Sequence, residues 1–196
     1  MARSSNREKL LSEGLRLVHQ RGFGASSVRD IVQAAGVPQG SFTNHFVSKE
    51  AFGLEVLARY REEAAGCLAR TLGNPDLRPL DRLRAWLTVR VDELKSGEMR
   101  KGCLYGNLSA EACEHSEAMR ERLVEVFAEQ SAALEACLGA AVEAGELRAG
   151  TDVKELAAFI VSSYQGAVLV SKVQRDATAV ERFVHVLFAC VLDCGV

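Results

Sequence analysis

"SVRDIVQAAGVPQGSFTNHFVSKEAFG", residues 27–53, is the stretch on which the reading of this chain turns. Val28, Ile31, Val32 and Ala35 recur at the steps of one helical face. Ser26 or Ser27 caps that helix, and the spacing from Ser27 to Asp30 resembles a capping box with Asp in place of Glu. Gly36 closes it. Pro38 suits the first turn of the next helix, where its missing N–H is not needed. This second helix is expected to run to about Phe46, with Phe42 and Phe46 four apart on a buried face. Around those two rings stand Gln39, Ser41, Thr43, Asn44 and His45. So short a helix is not stable alone, so its polar face is expected to touch something.

A capped short helix, a glycine turn and a second short helix with an exposed polar face make a helix-turn-helix, whose second helix enters the DNA major groove. Hydroxyl and amide side chains carry donors and acceptors, so Gln39, Ser41, Thr43 and Asn44 suit base edges or phosphates. Lys49 stands where a phosphate clamp would, and Arg29 is a second candidate. The bland alternative is a helical hairpin with a solvated face.

Outward from this motif the chain reads as helix throughout. Asn6 to Arg21 carries Leu10, Leu11, Leu15, Leu17 and Val18 at helical spacing, with Asn6 as the N-cap and Gly22-Phe23-Gly24 as the stop. Ser48 caps a longer fourth helix. Long amphipathic helices follow, and two apolar ones close the chain, at roughly 152–173 and 178–193. Both are apolar on more than one face, the pattern of a helix that packs against a partner subunit or lies deep in a core. No strand signal survives, and the predicted fold class is all-α.

Composition sets the outer bounds. The 196 residues are 48% hydrophobic and 26% charged, enough for a sizeable core. No apolar run nears 18 residues, so no membrane-spanning helix is expected, and the N-terminus lacks the apolar centre of a signal peptide. The expected location is the cytoplasm. The net charge of −2 is unevenly spread. Residues 1–50 hold seven Lys/Arg against four Asp/Glu, a balance of +3, and the remainder holds 17 against 22, a balance of −5. That asymmetry agrees with a DNA-binding part at 1–50 and a helical body at 51–196.

The motif resembles the signature of the TetR/AcrR family of transcriptional regulators, in A-G-V, then G-S-F and H-F, then S-K-E. It departs at Thr43, where a Tyr that touches phosphate is usual, and at Val32, where Ala is common. The resemblance implies a dimeric repressor that binds double-stranded operator DNA through residues 1–50. Its body would hold a small-molecule inducer, and its last two helices would form a homodimer interface. Ser41, Thr43, His45 and Lys49 fall where the family contacts DNA, and Phe42 and Phe46 where it packs, with Ser27 counted among the candidate DNA-binding residues. A phosphate contact by His45 competes with a core-edge histidine bonded to backbone.

A second stretch, "KGCLYGNLSAEACEHSEAMRERL" at 101–123, resembles the NemR-like branch of that family. It implies Cys103 and Cys113 as candidate sensors of electrophiles or oxidants. Such a thiol needs access and a nearby cation or helix N-terminus, since the thiolate is the nucleophile. Cys103 follows Arg100 and Lys101 at the expected start of a helix, and Lys172 is a candidate partner from the penultimate helix. Oxidation to a sulfenic acid, trapped by a nitrogen or second thiol, is the chemistry implied. The competing reading makes these cysteines small apolar filler, as expected for Cys67, Cys137 and Cys190. A conventional alternative is a hydrophobic ligand lodged among Trp86, Tyr105, Phe127, Phe159, Tyr164 and Gln165. Cys190 with Cys194, and Cys113 with His115, make poor metal sites, so no metal and no cofactor are expected. No nucleophile-base ordering or phosphate-cradling loop is legible, which argues against an enzyme.

Overall fold

The computed structural model describes residues 5–192, and Cys194 and residue 193 lie outside them. Among the described residues the structure is helical without strands, as the periodicity predicts. Nine α-helices are α1 (Asn6–Arg21), α2 (Val28–Ala35), α3 (Ser41–His45), α4 (Lys49–Arg70), α5 (Pro79–Ser96), α6 (Leu104–Ala112), α7 (Glu117–Glu143), α8 (Val153–Gln174) and α9 (Thr178–Val186). A π-helical turn, Leu187–Val191, continues α9, so the last expected helix is a shorter α-helix with a widened end.

The described chain divides into two compact units. One joins the residues up to Glu63 with Cys103–Val124; the other joins Ala64–Gly102 with the residues from Glu125 onward.

In the first unit, α1, α2 and α3 pack around α4. The centre is three rings: Phe42 lies 5.3 Å from Phe46 and 5.2 Å from Phe52, and Phe46 lies 4.9 Å from Phe52, centroid to centroid. Phe52 is fully buried, and α1 approaches it at Gly14 so closely that a methyl there would lie 2.2 Å from Phe52 Cζ. The cap of α1 is Ser5, whose hydroxyl accepts from the Glu8 N–H at 3.2 Å; Asn6, predicted for that role, is the first helical residue. The Asn6 side chain instead donates to Ser41 Oγ on α3 at 3.3 Å. Both residue types cap helices well, and the tertiary partner decides between them.

In the second unit, α5, α8 and α9 share an aromatic cluster. Trp86 lies 5.7 Å from Tyr164, and Tyr164 lies 6.1 Å from Phe183. Lys95 on α5 pairs with Glu181 on α9 at 2.6 Å. Glu146 caps the start of α5 by accepting from Leu80 N–H at 2.9 Å and from Arg78 Nε at 3.0 Å. Although no continuous apolar run nears 18 residues, α8 is long and apolar enough to cross a membrane by length and composition alone, at a mean hydropathy of 1.4. It buries Ala157, Ile160, Val161, Tyr164 and Val168 on one side and exposes Phe159, Leu169, Val170 and Val173 on another. A protein core on one face and an apolar surface on the other account for that hydropathy.

Candidate nucleic-acid interface

The helix-turn-helix is set by local chemistry. Ser27 accepts from the Asp30 N–H at 3.1 Å, and Asp30 accepts from the Ser27 N–H at 3.0 Å, the reciprocal bonds of a capping box. The Ser27 hydroxyl also donates to the Asp30 carboxylate, and this bond first, then the one from the Ser27 N–H, holds that carboxyl below its ordinary range, so it is charged at neutral pH. Gly36 ends α2 at φ +61°, in the left-handed region that glycine enters without steric cost. Pro38–Gly40 then forms a turn, closed by the Ser41 N–H on Pro38 O at 2.9 Å. Helix α3 therefore begins at Ser41 rather than at Pro38.

The recognition segment has two faces. Phe42 and Phe46 are buried, while Gln39, Thr43, Asn44 and His45 are exposed together. Ser41 is buried and occupied by Asn6, so its hydroxyl serves the α1–α3 junction here. Thr43 Oγ1 donates back to Gly40 O at 3.1 Å. Ser27 and Arg29 are exposed at the start of α2. Lys49 lies 4.7 Å above the Phe23 ring and donates to Gly24 O at 3.4 Å. Sequence reasoning missed Val47, which is 97% exposed in the turn after α3. No periodicity flags a single residue in a loop.

The two candidate sensor cysteines bracket one helix. Cys103 is the N-cap residue of α6 and is buried; Cys113 is its C-cap residue and is half-buried. Arg120 is held in its charged form first by a hydrogen bond to Glu117, with Cys113 a smaller contributor. Cys67 and Cys137 are buried, and burial pushes both thiols above their ordinary range. Cys137 also donates to Pro79 O at 3.2 Å. Lys172 and Cys103 belong to different units, as do Tyr105 and the Trp86–Tyr164 pair. Phe127 and Gln165 are half-buried, and Phe159 is exposed on an apolar groove beside Phe183, Val186 and Leu187. Among the described residues, no group of three His, Cys, Asp or Glu stands together as a metal site.

An all-α chain whose first helices hold an exposed polar recognition segment over a three-ring core is a helix-turn-helix regulator. Comparison with known proteins makes the class specific. Residues 10–56 match the family described as bacterial regulatory proteins, tetR family, and residues 79–187 match the tetracyclin repressor-like C-terminal domain. The chain belongs to the TetR family of DNA-binding transcriptional regulators. It is 34% identical to the HTH-type transcriptional repressor DhaR of Mycobacterium sp. (strain GP1), over 98% of this chain and 95% of that one. It is 36% identical to the HTH-type transcriptional repressor NemR of Escherichia coli over 60% of this chain and 59% of that one. Among solved structures, a regulatory protein TetR from Rhodobacter sphaeroides superposes with a TM-score of 0.89 at 28% identity, covering 93% of this chain and 96% of that one. Reduced E. coli NemR gives 0.82 at 30%, covering 93% and 96%. The match over 79–187 contains α8, so its hydropathy is that of a helix in a regulatory domain.

Proposed function

We propose that this chain is a homodimeric transcriptional repressor that acts in the cytoplasm and leaves its operator when thiols on α6 are modified. The observation that carries the DNA-binding part is the split of residues 39–46 into buried rings and an exposed polar face. On this reading residues 1–50 read the operator and 51–196 form the regulatory and dimerising body. Gln39, Thr43 and Asn44 face base edges, with Arg29, His45 and Lys49 set toward phosphates. Ser27 and Ser41 contribute by shaping the motif. The exposed Phe159, Leu169, Val170, Val173 and Val186 of α8 and α9 supply an apolar face for a second copy. Two recognition segments would then sit about 34 Å apart, or a multiple of it, to enter successive major grooves.

For the inducer, the supporting observation is that Cys103 and Cys113 cap the two ends of the same nine-residue helix. A bulky adduct at either end disfavours the packed position of α6. An effector shifts an equilibrium only by binding or modifying one state more favourably than the other, and an adduct that fits one position of α6 meets that condition. The similarity to NemR, whose solved structure is of its reduced form, is in keeping with a thiol as the sensing group. A non-covalent ligand beside Trp86 and Tyr164 is the second reading, supported by that aromatic cluster in the regulatory unit.

Binding to the chain's own promoter region decides between them, measured with and without equimolar N-ethylmaleimide for the wild type, Cys103→Ser and Cys113→Ser. Release of the wild type, with retention of one cysteine variant, names the sensor. Retention of all three moves the search to non-covalent ligands. Labelling order gives an independent check. Peptide mass spectrometry at neutral pH should find Cys113 modified well before Cys67 and Cys137, which should react at least about ten-fold more slowly until the chain is denatured. Equal labelling of all three would refute the burial-based order.

A further inference from the structure

Helix α6 is tied to the helix-turn-helix of its own compact unit by a directional bond. The Glu111 carboxylate accepts from the Gly24 N–H at 3.1 Å, across 87 residues of sequence. It also lies flat against the preceding turn: a methyl at Gly22 would stand 2.6 Å from one carboxylate oxygen and 2.7 Å from the other. Gly22, at φ +91°, is where the chain turns out of α1. Gly24 is thus gripped from both sides, its N–H by Glu111 and its C=O by Lys49. Between them, Phe23 packs so tightly on Gly53 of α4 that a methyl there would be 2.6 Å from the ring, with Met119 of α7 alongside at 3.2 Å.

The other ties from this segment reach α4 rather than the motif. Ser116, the first-turn cap of α7, donates to Glu50, and Tyr105 meets Tyr60 edge to face at 4.9 Å, with Tyr60 in turn 5.4 Å from His19 of α1. These fix where α6 sits on α4. The Glu111 bond acts instead on the turn that precedes Ser27, the cap of the first helix of the motif.

We propose that Glu111 is a positioning residue for DNA binding: by holding the Gly22–Gly24 turn, it lets the position of α6 set the placement of α2 and of Lys49. This inference rests on the operator-binding reading above and adds the contact through which α6 acts on it. A shift of α6 withdraws the acceptor from Gly24, and the turn, Lys49 and the start of α2 lose their common anchor. The role needs a hydrogen-bond acceptor at that place, not a charge.

The test uses the full chain with Glu111→Ala and Glu111→Gln, the second keeping a carbonyl oxygen for the Gly24 N–H. E111A should lose about five-fold or more in affinity for the chain's own promoter region, about 1 kcal/mol. Its helicity and melting temperature should match the wild type, because the bond it loses is solvent-exposed. E111Q should bind within about two-fold of the wild type. Amide exchange at Gly22–Gly24, which needs no DNA, should be faster in E111A and unchanged in E111Q. Wild-type affinity in E111A overturns the proposal. So does equal loss in both variants, which would assign the effect to charge, and so does identical exchange in all three proteins. A wild type that ignores its promoter refutes the operator reading, and a wild type indifferent to N-ethylmaleimide refutes the thiol reading. In either case the exchange comparison still decides the role of Glu111.

Discussion

Phe52→Ala should be the most damaging single change to the DNA-reading part, costing about 3–5 kcal/mol and lowering the melting temperature by roughly 10 °C. Phe52 is fully buried and is the ring that both Phe42 and Phe46 contact, so its removal strips the support from the inner face of the recognition segment. Thermal unfolding and promoter binding should fail together in this variant. The same site can be stressed from the opposite side. Gly14→Ala places a methyl 2.2 Å from Phe52 Cζ, an overpacking that costs about 1–3 kcal/mol. Because the two residues touch, their effects should not add. Phe52→Leu, which shortens the side chain at the point of collision, should recover part of the stability lost in Gly14→Ala. If Gly14→Ala melts like the wild type, the close approach of α1 to α4 is not as the structure has it.

The features legible in the sequence are those whose partners lie within one helical turn. Ser27 and Asp30 are three residues apart, Gly36 follows its helix directly, and Phe42 and Phe46 lie four apart on one face. Side-chain spacing encodes all of these, and each is present as expected. Misreadings arise where two local solutions compete and a distant residue decides. Ser5 and Asn6 are equally good caps for α1; Ser5 takes the role because Asn6 is drawn to Ser41, 35 residues away. Pro38 favours the start of a helix, but the two residues after it complete a turn, and α3 starts three residues late. Nothing in a 3.6-residue period marks Glu111, because its partner Gly24 contributes only a backbone N–H, which every non-proline residue carries. The candidate sensors show the same division. That Cys103 begins a helix was readable from the residues around it, whereas its burial, and the fuller access of Cys113, depend on packing that no spacing reports.

On the proposed reading, the residues set toward DNA divide into two groups that salt separates. Lys49→Ala should weaken promoter binding about equally for matched and mismatched sequences. It should also reduce the slope of log affinity against log salt by about one for each protomer, the signature of a lost phosphate contact. Arg29→Ala should behave alike, since its side chain is exposed at the start of α2. Asn44→Ala and Gln39→Ala should leave the salt slope unchanged. They should relax the preference for particular bases, at about 1–3 kcal/mol for each bidentate contact removed. Thr43 is the informative intermediate. It stands where the family usually has a phosphate-touching Tyr, and its hydroxyl is already donated to Gly40 O. Its remaining capacity is that of an acceptor, which a phosphate oxygen cannot use and a base amino group can. Thr43→Ala should therefore follow Asn44 in changing sequence preference, and Thr43→Tyr should follow Lys49 in reverse, raising affinity for every duplex. A salt slope that falls in Thr43→Ala would return this residue to the phosphate group and remove the basis for a distinct operator preference at this position.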